Sequence, residues 1–217
     1  KKNNYYSESD KLGGLDPYSC SKSLIELLVK SYSSSFYFKN SKNASLATVR
    51  AGNVIGGGDF SNHRIVPDVI NSFNSNKTLY LRNPNSIRPW LHILDSLNGY
   101  MILAEKLTIY DNNFSGSWNF GPNKKNIQTV RNIVNKIKSL WFKKLKNKII
   151  IKKNYNYIES GIIKLNSNKS KKYLNWKPKL DIDQTVKYTI EWYINNNFIN
   201  KSYTKCIEQI KNFENIK

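Results

Sequence analysis

Short apolar runs of strand length alternate with apolar positions at helical spacing along most of this 217-residue chain. That alternation confines it to an α/β layer structure. Residues 17 to 38 read as a helix that Asp16 can cap and Pro17 can begin, with Leu24, Leu28 and Tyr32 on a face predicted to be buried. Ser45 to Val54 reads as a buried strand, which Gly56-Gly57-Gly58 ends in a loop. A short helix is predicted over Ile65 to Phe73, a strand over Leu79 to Leu81, and an extended piece over Trp90 to Leu94. Asp95 can cap the next helix, whose predicted inward positions are Leu97, Tyr100, Met101, Ala104 and Leu107. Extended structure returns at Ser117 to Phe120 and at Ile149 to Ile151, with a helix near 126 to 141 between them. Leu180 to Ile194, capped by Asp181 or Asp183 and with Ile182, Val186, Ile190 and Tyr193 inward, and residues 199 to 213 are the last predicted helices.

Several function classes are disfavoured at once. Cys20 and Cys206 are too few for a disulfide framework or a four-cysteine zinc site, and His63 and His92 too few for a histidine-based one. No apolar run is long enough to span a membrane. Lys1-Lys2-Asn3-Asn4-Tyr5 is not followed by the apolar core of a secretory leader, so a reducing, cytoplasmic setting is expected. The net charge of +20 suggests an anionic partner. Yet 30 of the 35 cations are Lys, and Asn and Ile are also over-used, as A/T-rich codons favour. The densest stretch, Lys124 to Lys153, keeps an apolar helical rhythm and lacks the interleaved aromatics of a stacking surface for nucleic acid. The charge therefore reads as solvated lysine, and the five arginines become informative.

No G-x-G-x-x-G follows a strand anywhere, and Gly56-Gly57-Gly58 has neither the spacing nor the basic residue of a phosphate cradle. Chemistry concentrates instead in Tyr18-Ser19-Cys20-Ser21-Lys22, which puts a phenol and an ammonium one helical turn apart. A nearby cation favours phenolate over phenol, making a proton-transfer group suited to an alcohol or a carbonyl. Cys20 within the motif reads as a helix filler, and His92 as partly exposed and not catalytic. His63 can reach a ligand beside Arg64. Asn53 can also be read as a turn cap, and Arg88-Pro89-Trp90 as a packed surface corner.

Asp16-Pro17-Tyr18-Ser19-Cys20-Ser21-Lys22 resembles the active-site helix of the extended short-chain dehydrogenases/reductases that act on nucleotide sugars, the NAD-dependent epimerase/dehydratase family. Arg50-Ala51-Gly52-Asn53-Val54-Ile55-Gly56-Gly57-Gly58-Asp59, Arg64-Ile65-Val66-Pro67-Asp68, Ile87-Arg88-Pro89-Trp90 and Trp118-Asn119-Phe120-Gly121-Pro122 follow in the family's order. Lys164-Leu165, Leu174-Asn175-Trp176-Lys177-Pro178 and Glu191-Trp192-Tyr193 complete it. The combination is most similar to the branch that dehydrates CDP-glucose. The resemblance implies a Rossmann-type doubly wound parallel sheet, truncated at the amino end, with a small carboxyl-terminal α/β substrate region. Residues 1–55 would belong to the NAD-binding part, 56–195 mainly to the nucleotide-sugar region with strand 117–120 returning to the main sheet, and 196–217 to a tail.

The resemblance also implies roles. Tyr18 would take the C4 hydroxyl proton, and Lys22 would hold the nicotinamide ribose, with Ala51 and Gly52 also at the cofactor. Asn53, Arg64, Ile65, Pro67, Arg82 and Arg88 would bind substrate, with Arg64 and Arg88 on the diphosphate and Pro67 and Arg82 near the base. The implied reaction oxidises CDP-glucose at C4, eliminates water across C5–C6 and returns the hydride to C6, with NAD as cofactor. A homodimer packed through helix 17–38, with no nucleic-acid, membrane or metal partner, is the implied assembly. The family's glycine fingerprint and the acid/base pair for the elimination would precede Lys1. The chain is thus expected to be a carboxyl-terminal portion that is inactive alone. At Tyr157-Ile158-Glu159 the sequence has Ile158 where the family tends to carry histidine. Another enzyme of the family (a 4-epimerase, or a dTDP- or GDP-sugar dehydratase) and a basic nucleic-acid-binding module remain open.

Overall fold

Asp16 starts the first long helix as predicted, its carboxylate accepting the Ser19 N–H at 2.9 Å with Pro17 in the first turn. A computed structural model describes residues 5–37, 45–109, 111–141, 148–151, 161–194 and 199–216. In chain order they form β1 (Tyr5–Tyr6), α1 (Pro17–Tyr32), β2 (Ala47–Ala51), β3 (Asn53–Ile55), α2 (Ile65–Ser75), β4 (Leu79–Leu81), β5 (Ile87–His92) and α3 (Ile93–Ile109). These are followed by β6 (Gly116–Phe120), β7 (Ile127–Thr129), α4 (Val130–Leu140), β8 (Ile149–Ile151), β9 (Lys164–Leu165), α5 (Asn168–Tyr173), α6 (Ile182–Ile194) and α7 (Ile199–Glu214). The architecture is the predicted mixture of helices and mainly parallel strands.

The strand predicted over 45–54 is present but changes partner halfway. Its first half, β2, pairs in parallel with β6, from Ala47 opposite Gly116 to Ala51 opposite Phe120. Its second half, β3, pairs in parallel with β5, Asn53 opposite Trp90 and Ile55 opposite His92. Gly52 is the fork. Its N–H donates to Phe120 O at 3.1 Å, while a Cβ on it would meet Pro89 O at 2.2 Å. Only glycine lets the backbone approach β5 so closely. On its other side β5 pairs with β7, antiparallel. The helix predicted from 126 therefore begins later, because Ile127–Thr129 join this sheet and Thr129 caps α4 by accepting the Asn132 N–H.

Two apolar clusters hold these layers. One joins Val66, Val69, Ile70 and Phe73 of α2 with Leu79, Leu81 and Trp90, and with Ile133, Val134 and Ile137 of α4 and Ile182, Val186 and Ile190 of α6. The other packs Leu91, Leu103, Trp118, Phe120, Leu174 and Trp176 around α3 and β6. Asp181 caps α6 in a reciprocal box: its carboxylate accepts the Gln184 N–H, and its own N–H donates to Gln184 Oε1. Asp183 makes an ion pair with Lys136 and is not a cap.

Four expectations are corrected. The α1 face carrying Leu24, Leu28 and Tyr32 is exposed, and no residue of α1 is buried. What ties α1 to the sheet is polar. Glu26 accepts Arg50 Nε and Nη2 at 2.8 and 2.9 Å, Thr48 Oγ1 at 2.7 Å and Ser117 Oγ at 2.9 Å. The inward face of α3 is Asp95, Ser96, Gly99 and Leu103, while Leu97, Met101 and Ala104 face out. Small residues are needed there, because a Cβ on Gly99 would meet the Phe120 ring at 2.5 Å. Asp95 is not a cap but lies inside α3, fully buried. His92, expected to be partly exposed, is only 1% accessible, because β5 runs between two sheet partners and under Tyr188, whose ring meets the imidazole at 5.6 Å.

Candidate active site

The partner change at Gly52 opens the mouth of a cleft of about 1080 Å³. Its walls are the 51–59 segment, the start of α2, the end of β4 and the Arg88–Trp90 stretch of β5. Tyr18, 71% exposed as a residue, comes to the same cleft from the first turn of α1. Lys22 does not line the cleft. It stands one turn behind, its Nζ 5.6 Å from the Tyr18 ring centre, so the phenol and the ammonium share a face as the spacing predicted. Ser21 Oγ donates to Tyr18 O, and Ser23 Oγ is bonded to both the N–H and the C=O of Gly13, which anchors the preceding loop on the helix.

Ala51, Gly52, Asn53, Arg64, Ile65, Pro67, Arg82 and Arg88 all line this cleft with Tyr18. Residues spread over some seventy positions of sequence thus meet in one cavity. Asn53, Arg64 and Arg82 are exposed to it, whereas Pro67 and Arg88 are buried in its walls. Arg88 Nη1 donates to Ile87 O at 3.0 Å, so Arg88-Pro89-Trp90 is part of the core and not a surface corner. Arg64 is exposed in comparison. Its side chain is 68% exposed and its contact with Asp59 Oδ2 is 3.5 Å long. Such an exposed pair is worth only about 0–1 kcal/mol and leaves the guanidinium ready to meet an anion.

His63, which the sequence placed beside Arg64, is joined in the cleft by Asp59 and Asp68, neither of which has a role readable from sequence. His63 lines the cleft in a left-handed conformation (φ 64°), turning the chain so that Arg64 can face inward. Burial opposes ionisation of Asp59, but the Ser61 N–H and the charge of Arg64 outweigh it and hold the carboxyl below its ordinary value. Burial pushes the Asp68 carboxyl above its ordinary value, against the His63 N–H and the charges of His63 and Arg82. The loop itself is clamped by α6. Tyr193 Oη donates to Asp59 O at 2.7 Å and accepts the Asp59 N–H at 3.1 Å, while a Cβ on Gly57 would run into the Trp192 ring at 2.0 Å. The acidic residues flanking Arg64 were visible in the sequence. The clamp was not, because it joins residues 134 positions apart.

Tyr157 to Glu159 lie outside the described residues. Among the described residues no group of three or more His, Cys, Asp or Glu could hold a metal ion, and no helix is long and apolar enough to cross a membrane.

The fold is shared with solved nucleotide-sugar enzymes. A dTDP-glucose 4,6-dehydratase from Bacillus anthracis, solved with NAD, matches 90% of the chain with a TM-score of 0.70 at 20% identity, over 58% of its own length. A UDP-glucose 4-epimerase from Bifidobacterium longum, solved with NAD+ and UDP, matches 88% with a TM-score of 0.72 at 15% identity, over 59% of its length. The class that these matches define is one of fold, the Rossmann-type fold of solved dehydratases and epimerases. Within that class the chain belongs to the GDP-mannose 4,6 dehydratase family, whose model matches residues 1–189. It is 38% identical over 193 residues to the CDP-glucose 4,6-dehydratase of Salmonella typhimurium, covering 87% of the chain and 53% of that enzyme. The chain thus spans about half the length of the curated relative it matches.

Proposed function

We propose that these residues form the substrate-binding and proton-transfer part of a nucleotide-sugar 4,6-dehydratase whose substrate is CDP-glucose and whose cofactor is NAD. What carries the reading is that Tyr18, backed by Lys22, lines the same cleft as Arg64, Arg82 and Arg88. The 38% identity to a CDP-glucose 4,6-dehydratase favours the cytidine nucleotide. Arg64 and Arg88 hold the diphosphate, for which a forked guanidinium is suited. Asn53 contacts the sugar, and Ile65, Pro67 and Arg82 take the base end. Tyr18 accepts the C4 hydroxyl proton, with the Lys22 ammonium one turn behind it.

The residues present fit the reactive end of NAD. The Tyr18 oxygen and the Lys22 ammonium stand on one exposed helix face, where the oxygen can accept from a ribose hydroxyl and the ammonium can donate to one. Ala51 and Gly52 line the cleft with Tyr18. When bound, NAD supplies the hydride acceptor for oxidation at C4 and returns the hydride at C6. Turnover also needs a dinucleotide-binding glycine loop and an acid/base pair for the loss of water, and the 217 residues are inactive without them. We place the reaction in the cytoplasm, in a homodimer.

The test is product formation from CDP-, UDP- and dTDP-glucose by the full-length protein, wild type and Tyr18→Phe. The expected result is a 4-keto-6-deoxy product from CDP-glucose, with turnover lowered about 10²–10⁴-fold by the substitution. Because Tyr18 is exposed, its thermal midpoint stays unchanged. A product from another nucleotide sugar alone, or full activity without the phenol, refutes the reading.

A further inference from the structure

Asp68 is a carboxylate on the wall of a cleft that must hold a diphosphate, and such a charge is unfavourable unless the ligand brings it a donor. Asp59, the other carboxylate there, already accepts the Ser61 N–H and pairs with Arg64. Asp68, in the first turn of α2, takes the His63 backbone N–H and feels the charges of His63 and Arg82. A carboxylate has roughly four acceptor positions, so one N–H leaves Asp68 with capacity on the cleft side. Arg82, at the end of β4, supplies donors beside it.

With the sugar at Tyr18 and the diphosphate at Arg64 and Arg88, as proposed above and on which this inference rests, Asp68 and Arg82 fall at the base. An acceptor beside a donor is a pattern that can read a base edge. Cytosine offers its N4 amino donor next to the N3 acceptor. Uracil and thymine offer the O4 acceptor next to an N3–H donor, which opposes both side chains. We infer that Asp68 accepts the cytosine N4 amino group and, with Arg82, selects cytidine over uridine and thymidine nucleotides. Asp68 is a specificity residue and takes no part in the C4 chemistry. A site built to pair with a polar group rejects the analogue that lacks it, because its own buried groups are then left unpaired.

The experiment is calorimetric titration of the full-length protein with CDP, UDP and GDP, for wild type, Asp68→Asn and Asp68→Ala. Both pyrimidine nucleotides are measured on one sample, so a loss of folded fraction does not move their ratio. Wild type should prefer CDP to UDP by about ten- to a hundredfold. In both variants that preference should fall to within about threefold of unity, with CDP weakened, and Asp68→Asn should gain affinity for UDP through its amide N–H. A wild-type preference for CDP that survives both substitutions overturns the role of Asp68 and leaves the dehydratase reading standing. Equal binding of CDP and UDP by wild type, or tighter binding of GDP, overturns the selection of cytosine. Binding of no nucleotide diphosphate overturns the dehydratase reading as well.

Discussion

Asp95 accepts the backbone N–H groups of Lys179 at 2.6 Å and Leu180 at 3.3 Å, and its own carbonyl accepts Trp176 Nε1 at 3.1 Å. A single buried carboxyl thus ties α3 to the segment that leads into α6. Burial pushes it up to about 6, against the pull of the two N–H groups and Lys179. A folded-state value above the ordinary carboxylate value favours folding most when the group is protonated in both states. The contribution is therefore full below about pH 4 and is lost as pH rises through about 6. Its size is on the order of 3 kcal/mol. Urea unfolding at pH 4.5 and pH 7 should show this as a pH dependence that Asp95→Asn abolishes. An unchanged dependence in the variant would mean that the carboxyl titrates normally. In sequence, Asp95 looked like a helix cap, since an acidic residue near a helix start usually is one. Its actual role depends on Lys179 and Leu180, more than eighty residues away.

At the scale of elements, α1 and α3 reverse the usual relation between hydrophobicity and burial. The apolar positions of α1 point out, and the helix is held by Glu26 through Arg50, Thr48 and Ser117. The helix that carries Tyr18 and Lys22 is therefore positioned by a half-buried ion pair, with side chains 12% and 23% accessible. Removing one partner of such a pair leaves the other poorly satisfied. Glu26→Ala should destabilise the protein by about 2 kcal/mol, read as a lower thermal midpoint. α3 reaches the Phe120 and Trp176 rings only because Gly99 has no side chain. Gly99→Ala should destabilise it by about 1–3 kcal/mol through overpacking, although alanine is the better helix former. A stabilised Gly99→Ala variant would refute that packing argument.

For the whole molecule, the exposed face of α1, with Leu24 58% and Leu28 57% accessible, is the surface where the proposed homodimer would pack. Sedimentation of the full-length protein should show a dimer, and a double substitution of Leu24 and Leu28 by Glu should give a folded monomer. A dimer that persists rules out this face. The sequence by itself determined the order and type of the longer elements, because strand and helix periodicities are local, but not the short strands β1, β7 and β9 or the helix α5. Tyr18, Asn53, Arg64 and Arg88 of the cleft were legible too, because they stand in short motifs that resemble the family's. The change of partner at Gly52, the burial of His92 and Asp95, the clamp of Trp192 and Tyr193 on the Gly57–Asp59 loop, and the exposure of the α1 leucines were decided only by tertiary structure. Each depends on which distant segment comes to lie against it, and a spacing rule within one element has no term for that neighbour.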